Sequence, residues 1–228
     1  MRVIFGCFLY LCCFGALPTY AGSVDFVGII PGQISVKVVS LEEARFRTTV
    51  RQQFDFSCGS AALATLLTYH YAHPVTERAV FQAMYAKGDQ KKIRREGFSM
   101  LDMKNYLESI GYNADGYKAS LTKLAQAGIP AIVLVKDHGY NHFVVIKGVA
   151  DGKVLVGDPA AGIKVMPRSN FDKMWTNGIL FVVSAPGAQD NFNLEKEWQT
   201  RARAPLGEAV THDILTNIEL LRPGPNDF

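Results

Sequence analysis

Gln52-Gln53-Phe54-Asp55-Phe56-Ser57-Cys58-Gly59 is the stretch on which the reading of this chain turns. Directly behind it, residues 61–71 read as a helix, with Ala62, Leu63, Leu66 and Leu67 at core spacing. Cys58 therefore stands at a helix mouth, where unpaired backbone N–H groups and the helix dipole favour a negatively charged sulfur. The charged form of a thiol is the one that attacks. Gly59 adds no side chain and is expected to leave room for a substrate backbone. Gln52, six residues before the cysteine, can offer an amide N–H to a carbonyl oxygen as that oxygen becomes negative.

A thiol nucleophile needs a base, and five histidines compete. His70 and His73 lie at the far end of the cysteine's own helix and read as ordinary surface or satisfied core residues. His138 falls in a loop and His212 in the tail. His142 opens a strand after Gly139-Tyr140-Asn141, and strand ends are where rigid scaffolds display reactive groups. Asp158 follows sixteen residues later at the end of the next strand. A hairpin turning at Asp151-Gly152 brings the two side by side, where a carboxylate would fix the imidazole tautomer and steady its charged form. Read alone, Asp158-Pro159 is a simple turn. Zinc is a poor fit, because no pair among Cys58, His142 and Asp158 has the short spacing of structural zinc sites.

Around these residues the chain divides into a helical half and a strand half. Thr76 caps a helix running to Lys87 and stopped by Gly88. Ser99 and Asp102 form a capping-box start for another, with Met100, Met103, Leu107 and Ile110 inward. Between them, residues 88–98 read as a polar, basic loop in which Lys91, Lys92, Arg94 and Arg95 are solvated. A short helix near 121–127 is followed by β-branched runs at 131–135, 142–147, 154–156, 163–165 and 179–183, with Phe171 and Trp175 on a short helix before the last. Helices first and antiparallel strands afterwards give an α+β fold in two layers. Residues 22–48 form an N-terminal extension holding one alternating strand at 34–39 and a helical turn at 41–45. The domain runs over 49–186. Residues 187–228 form a C-terminal extension with amphipathic segments at 194–202 and 210–221, suited to packing on the domain, a partner or a membrane surface.

Residues 1–21 differ from the rest. Met1-Arg2 supplies a positive start, residues 3–17 carry no charge, and Thr19-Tyr20-Ala21 places small residues before a cut. That is the layout of a secretory signal peptide, too short for a comfortable membrane span. Of the four cysteines, Cys7, Cys12 and Cys13 lie in the removed segment, so the exported protein keeps Cys58 alone and forms no internal disulfide. The formal charge of +3 on 228 residues, with no basic stripe interleaved with aromatics, gives no reason to expect nucleic acid.

Taken in order, these pieces resemble a known family. Gln52 with Cys58-Gly59-Ser60-Ala61, Gly97-Phe98-Ser99-Met100, Gly128-Ile129-Pro130-Ala131, His142-Phe143-Val144-Val145, Gly157-Asp158-Pro159-Ala160-Ala161-Gly162 and Phe171-Asp172-Lys173-Met174-Trp175 are similar to the bacteriocin-processing, double-glycine leader peptidases. The resemblance implies a papain-like cysteine peptidase fold in which the nucleophile helix packs on an antiparallel sheet. It implies Cys58 as nucleophile, His142 as base, Asp158 as orienter and Gln52 as oxyanion donor, with Gln53 as the nearby competitor for the last role. It also implies a narrow cleft for an extended peptide, small residues such as glycine before the cut, and no cofactor. The fused transporter of such enzymes has no counterpart here: after residue 21 there is no long apolar span and no phosphate-binding G-x-x-x-x-G-K-[ST]. Size and export signal resemble the stand-alone peptidases of functional-amyloid (Fap-type fimbria) secretion, which implies a periplasmic enzyme acting on an amyloid subunit or another secretion component. Two alternatives use the same residues: a non-cleaving module that holds an unfolded secretion substrate, and acyl transfer to an amine.

Overall fold

The computed structural model describes residues 23–26, 34–37, 39–137, 139–184 and 191–199. The expected signal segment, His138, His212 and the expected amphipathic segment at 210–221 lie outside them. In the first of two units, which ends at Ser40, β1 (Ser23–Phe26) pairs antiparallel with β2 (Ile34–Lys37).

The second unit begins at Leu41. Its helical half comprises α1 (Leu41–Arg45), α2 (Cys58–His70), α3 (Glu77–Lys87), α4 (Gln90–Glu96) and α5 (Met100–Ser109). Then come β3 (Asn113–Lys118), α6 (Leu121–Ala127), β4 (Ala131–Asp137), β5 (Tyr140–Ala150), β6 (Lys153–Asp158), β7 (Gly162–Pro167), α7 (Arg168–Met174), β8 (Ile179–Ser184) and the short α8 (Glu195–Trp198). The strands form a six-stranded sheet in the order β3-β8-β4-β5-β6-β7, every pairing antiparallel.

The caps expected from the sequence are present. Thr76 accepts from the Ala79 N–H at the start of α3, and Ser99 and Asp102 form a reciprocal capping box at α5. At Asp151 and Gly152 φ is +49° and +67°, the backbone that a two-residue hairpin between right-twisted strands requires.

Two expectations change, and one strand is new. Residues 90–96 are helical, not a loop: Asp89 accepts from the Lys91 and Lys92 N–H groups, Gly97 closes the end at φ +79°, and Ile93 alone is buried. With one apolar anchor in a charged run, hydrophobic spacing had nothing to register. The polar edge strand β3 escaped notice for a similar reason, since only Ala114 is buried. The expected two layers are three. Cys58, Leu63, Leu67, Met103 and Leu107 pack with Ile132, Phe143, Val145 and Phe181 on one face of the sheet. Leu121, Leu124, Phe171, Trp175 and Phe192 pack with Val133, Val135, Val144, Val156 and Val182 on the other. Central strands covered on both faces read as continuous apolar runs.

Residues 191–199 dock onto this domain through a buried charge. A register shift in β5 between Ile146 and Gly148 makes Lys147 a bulge residue, and its side chain is fully buried. Its ammonium donates to the Thr48 carbonyl at 2.7 Å, Thr48 Oγ1 at 2.9 Å and Glu197 Oε1 at 2.6 Å. Burial lowers its pKa, against the pull of Glu197. Gly157 on β6 leaves the space, because an added Cβ would lie 3.0 Å from Lys147 Cδ. Removing one partner of such a pair strands a charge in the interior. Glu197→Ala is therefore expected to cost about 3–5 kcal/mol in urea unfolding, while the combined Lys147→Met/Glu197→Leu change keeps or exceeds wild-type stability.

Candidate active site

The loop before α2 is folded tightly onto itself. Ser57 Oγ accepts from the Phe54 N–H at 3.1 Å and donates to the Phe54 carbonyl at 3.0 Å. Ser60 Oγ in the first turn donates to Glu77 Oε1 at 3.1 Å, and Thr65 Oγ1 accepts from the Val50 N–H at 2.8 Å. These bonds fix the helix end that bears Cys58. Gly59 serves a different purpose from the one expected. A Cβ there would meet Phe98 Cβ at 3.1 Å and Phe143 Cδ2 at 3.5 Å, so its missing side chain seats α2 on its neighbours and not a substrate.

The sheet supplies the other half. Val145 pairs with Gly157 across β5 and β6, which carries His142 and Asp158 to the same end of the sheet. His142 Nε2 lies 2.8 Å from Asp158 Oδ1, leaving Nδ1 as the nitrogen for a second partner. The Cys58 side chain lies close enough to the imidazole to act on its charge. Three residues up to 100 positions apart in sequence thus form one row.

Asp158 is 4% exposed, yet well supplied with donors. Its Oδ1 also accepts from the Ala160 N–H at 2.8 Å and the Ala161 N–H at 3.3 Å, and the Lys164 ammonium lies 2.5 Å from Oδ2. Burial pushes the carboxyl pKa up, but the bonds from His142 and Lys164 outweigh it and hold the group well below the usual carboxylate range. For His142, burial again opposes the charged form. The Asp158 hydrogen bond and the neighbouring Cys58 prevail, and the imidazole is raised to about 9.

Cys58 opens into a groove of about 740 Å³. Asp55 and Phe56 flank it on the loop side, Leu134, Tyr140, Asn141 and Phe143 on the sheet side, and Lys92 with residues 94–100 close the third side. Gln52 is held by its main chain, whose N–H donates to the Pro159 carbonyl at 3.0 Å. Its side-chain amide donates to the Phe54 carbonyl at 3.1 Å, and its Oε1 is buried without a partner. The other described histidines stay apart from this row. His73 stacks edge-on against Tyr112. His70 is 1% exposed, and neither ring nitrogen has a hydrogen-bond partner; burial, then Lys147, lowers its pKa to about 3. It is a buried neutral ring, neither surface-exposed nor satisfied. Lys164 went unnoticed in the sequence, since one lysine on an alternating strand reads as a solvent-facing residue.

A helix-borne thiol facing a strand-borne imidazole and carboxylate, in a helix-on-antiparallel-sheet fold, defines a cysteine peptidase of papain-like architecture. Residues 47–187 match the Peptidase C39 family, and the chain belongs to it. It is 46% identical over 172 residues, 75% of this chain and 76% of the relative, to the probable functional amyloid protease FapD of Pseudomonas aeruginosa. The protein of the same description from Pseudomonas fluorescens is 45% identical over 172 residues, covering 75% of each chain. Among solved structures, a double glycine motif protease from an AMS/PCAT transporter, in complex with its leader peptide, superposes with a TM-score of 0.51 at 29% identity, over 60% of this chain and 91% of that one.

Because His142 binds its proton more tightly folded than unfolded (ordinary value 6.5), it adds stability that is complete below about pH 6.5 and is lost as pH rises through about 9. Histidine-selective NMR is expected to place its midpoint near 9. In Asp158→Asn the midpoint drops toward or below the ordinary value, since the burial penalty then acts with less to oppose it.

Proposed function

We propose that the chain is a periplasmic thiol endopeptidase that cleaves a secreted protein of an amyloid export system after small residues, with Cys58, His142, Asp158 and Gln52 as its catalytic set. The observation that carries this reading is the Cys58–His142–Asp158 row, whose Cys58 end lines the groove. Kinship to the FapD proteins supports the amyloid substrate, the leader-bound relative supports an extended peptide in the groove, and the apolar leader at residues 3–17 supports export.

In this mechanism the Cys58 thiol gives its proton to His142, and the sulfur attacks the scissile carbonyl. Asp158 accepts from the imidazolium and holds its orientation throughout. The Cys58 backbone N–H and the Gln52 amide stabilise the oxyanion. For this the amide turns from the Phe54 carbonyl toward the substrate, a tightening common when a catalytic site fills. The imidazolium then protonates the departing amine, and His142 draws a proton from the water that hydrolyses the thioester.

Cys58→Ala is expected to abolish cleavage of the co-secreted amyloid subunit and labelling by a thiol-reactive peptide probe, with amyloid secretion lost. Secretion that persists in that variant would indicate a holding role without cleavage, and product masses separate hydrolysis from acyl transfer. Gln52→Ala is expected to lower kcat roughly a hundred- to a thousandfold, whereas Gln53→Ala stays near wild type. Because the imidazolium is the proton donor, kcat/KM should fall on an alkaline limb near pH 9.

A further inference from the structure

The Cys58–His142–Asp158 row does not stop at the carboxylate. Lys164 lies opposite Val156 in the β6–β7 pairing, two residues from Asp158 along β6. The two side chains therefore rise from one face of the sheet on a diagonal that a lysine can span. Its ammonium sits 2.5 Å from Asp158 Oδ2, the oxygen turned away from His142.

The geometry points to Lys164 as a positioning residue for the catalytic set, acting through Asp158. By occupying Oδ2 it stops the carboxylate from rotating, so that Oδ1 stays on Nε2. It also takes up part of the carboxylate's field, so that the imidazolium can still surrender its proton to a leaving amine. This rests on the proposed roles of His142 and Asp158. The surroundings offer few other charges. Asp137 from β4 lines the same small cavity as His142, Asp158 and Lys164, whereas α7 contributes only Phe171 and Met174 there. From the helical side Cys58 faces the imidazole, and α1 meets the β6–β7 turn through Arg45, against Gly162.

Removing a cation makes every nearby deprotonation harder, so the sign of the effect is fixed. The test compares the full-length protein with Lys164→Met, Lys164→Gln and Lys164→Arg. It uses hydrolysis of a fluorogenic peptide with Gly-Gly before the scissile bond, and histidine-selective NMR of His142. In the Met and Gln variants both limbs of the kcat/KM profile are expected to move to higher pH by roughly half a unit or more. The His142 midpoint moves with the alkaline limb, kcat at neutral pH falls about tenfold, and KM stays within about twofold. Arg restores all three. If both neutral variants, folded by near-ultraviolet circular dichroism, keep the wild-type profile and midpoint, the inference is overturned. It is equally overturned if they lose activity with the midpoint unmoved and Arg fails to restore it. Should the wild type hydrolyse no peptide while its His142 midpoint still responds to Lys164, the enzymatic reading fails and the positioning role stands.

Discussion

Asp158 carries its negative charge at a place nearly closed to water, and the architecture around it exists to make that tolerable. An unpaired carboxylate there would simply take up a proton. Instead, donors reach it from three directions: the His142 ring from β5, the Ala160 and Ala161 backbone from the turn into β7, and Lys164 from β7 itself. Each depends on strand register. Slipping β6 by one residue would turn the carboxylate to the opposite face of the sheet and leave the imidazole without an anchor. The Asp151-Gly152 turn, remote from any chemistry, is therefore one of the parts that the row of reactive groups most depends on.

Much of this was legible in the sequence because it obeys local rules. Cys58 before an apolar helix, Asp151-Gly152 between β-branched runs, and the Thr76 and Ser99 caps each have a short-range physical signature that folding preserved. The pairing of His142 with Asp158 could be inferred from hairpin geometry, and the resemblance to the leader peptidases implied that Cys58 joins them. What escaped had no local signature. Helix α4 forms in a run of charges because Asp89 and Gly97 cap it and Ile93 finds a core. Strand β3 is polar because it is an edge. The bulge at Lys147 depends on a glutamate fifty residues away, and the burial of His70 on how α2 meets that lysine. The role of Gly59 is not legible because a missing side chain looks the same in sequence whether a ligand or Phe98 fills the space.

The Lys147–Glu197 pair also redraws the edge of the domain. The match to the family model ends at residue 187, but Glu197 neutralises a lysine on the very strand that bears His142. Phe192 joins the second core, and the Asn193 N–H donates to the Lys147 carbonyl at 2.9 Å. Residues 191–199 are in that sense part of the peptidase's interior.

The order of strands has a consequence for the life of the chain. β8, the final strand of the sheet to be synthesised, does not lie at an edge but between β3 and β4. Until residue 184 has emerged, β4 lacks its neighbour on that side, and the platform that presents the imidazole is unfinished. A growing polypeptide accordingly lacks a continuous sheet until β8 pairs. The scaffold under the reactive row is thus among the last parts of the fold to be completed.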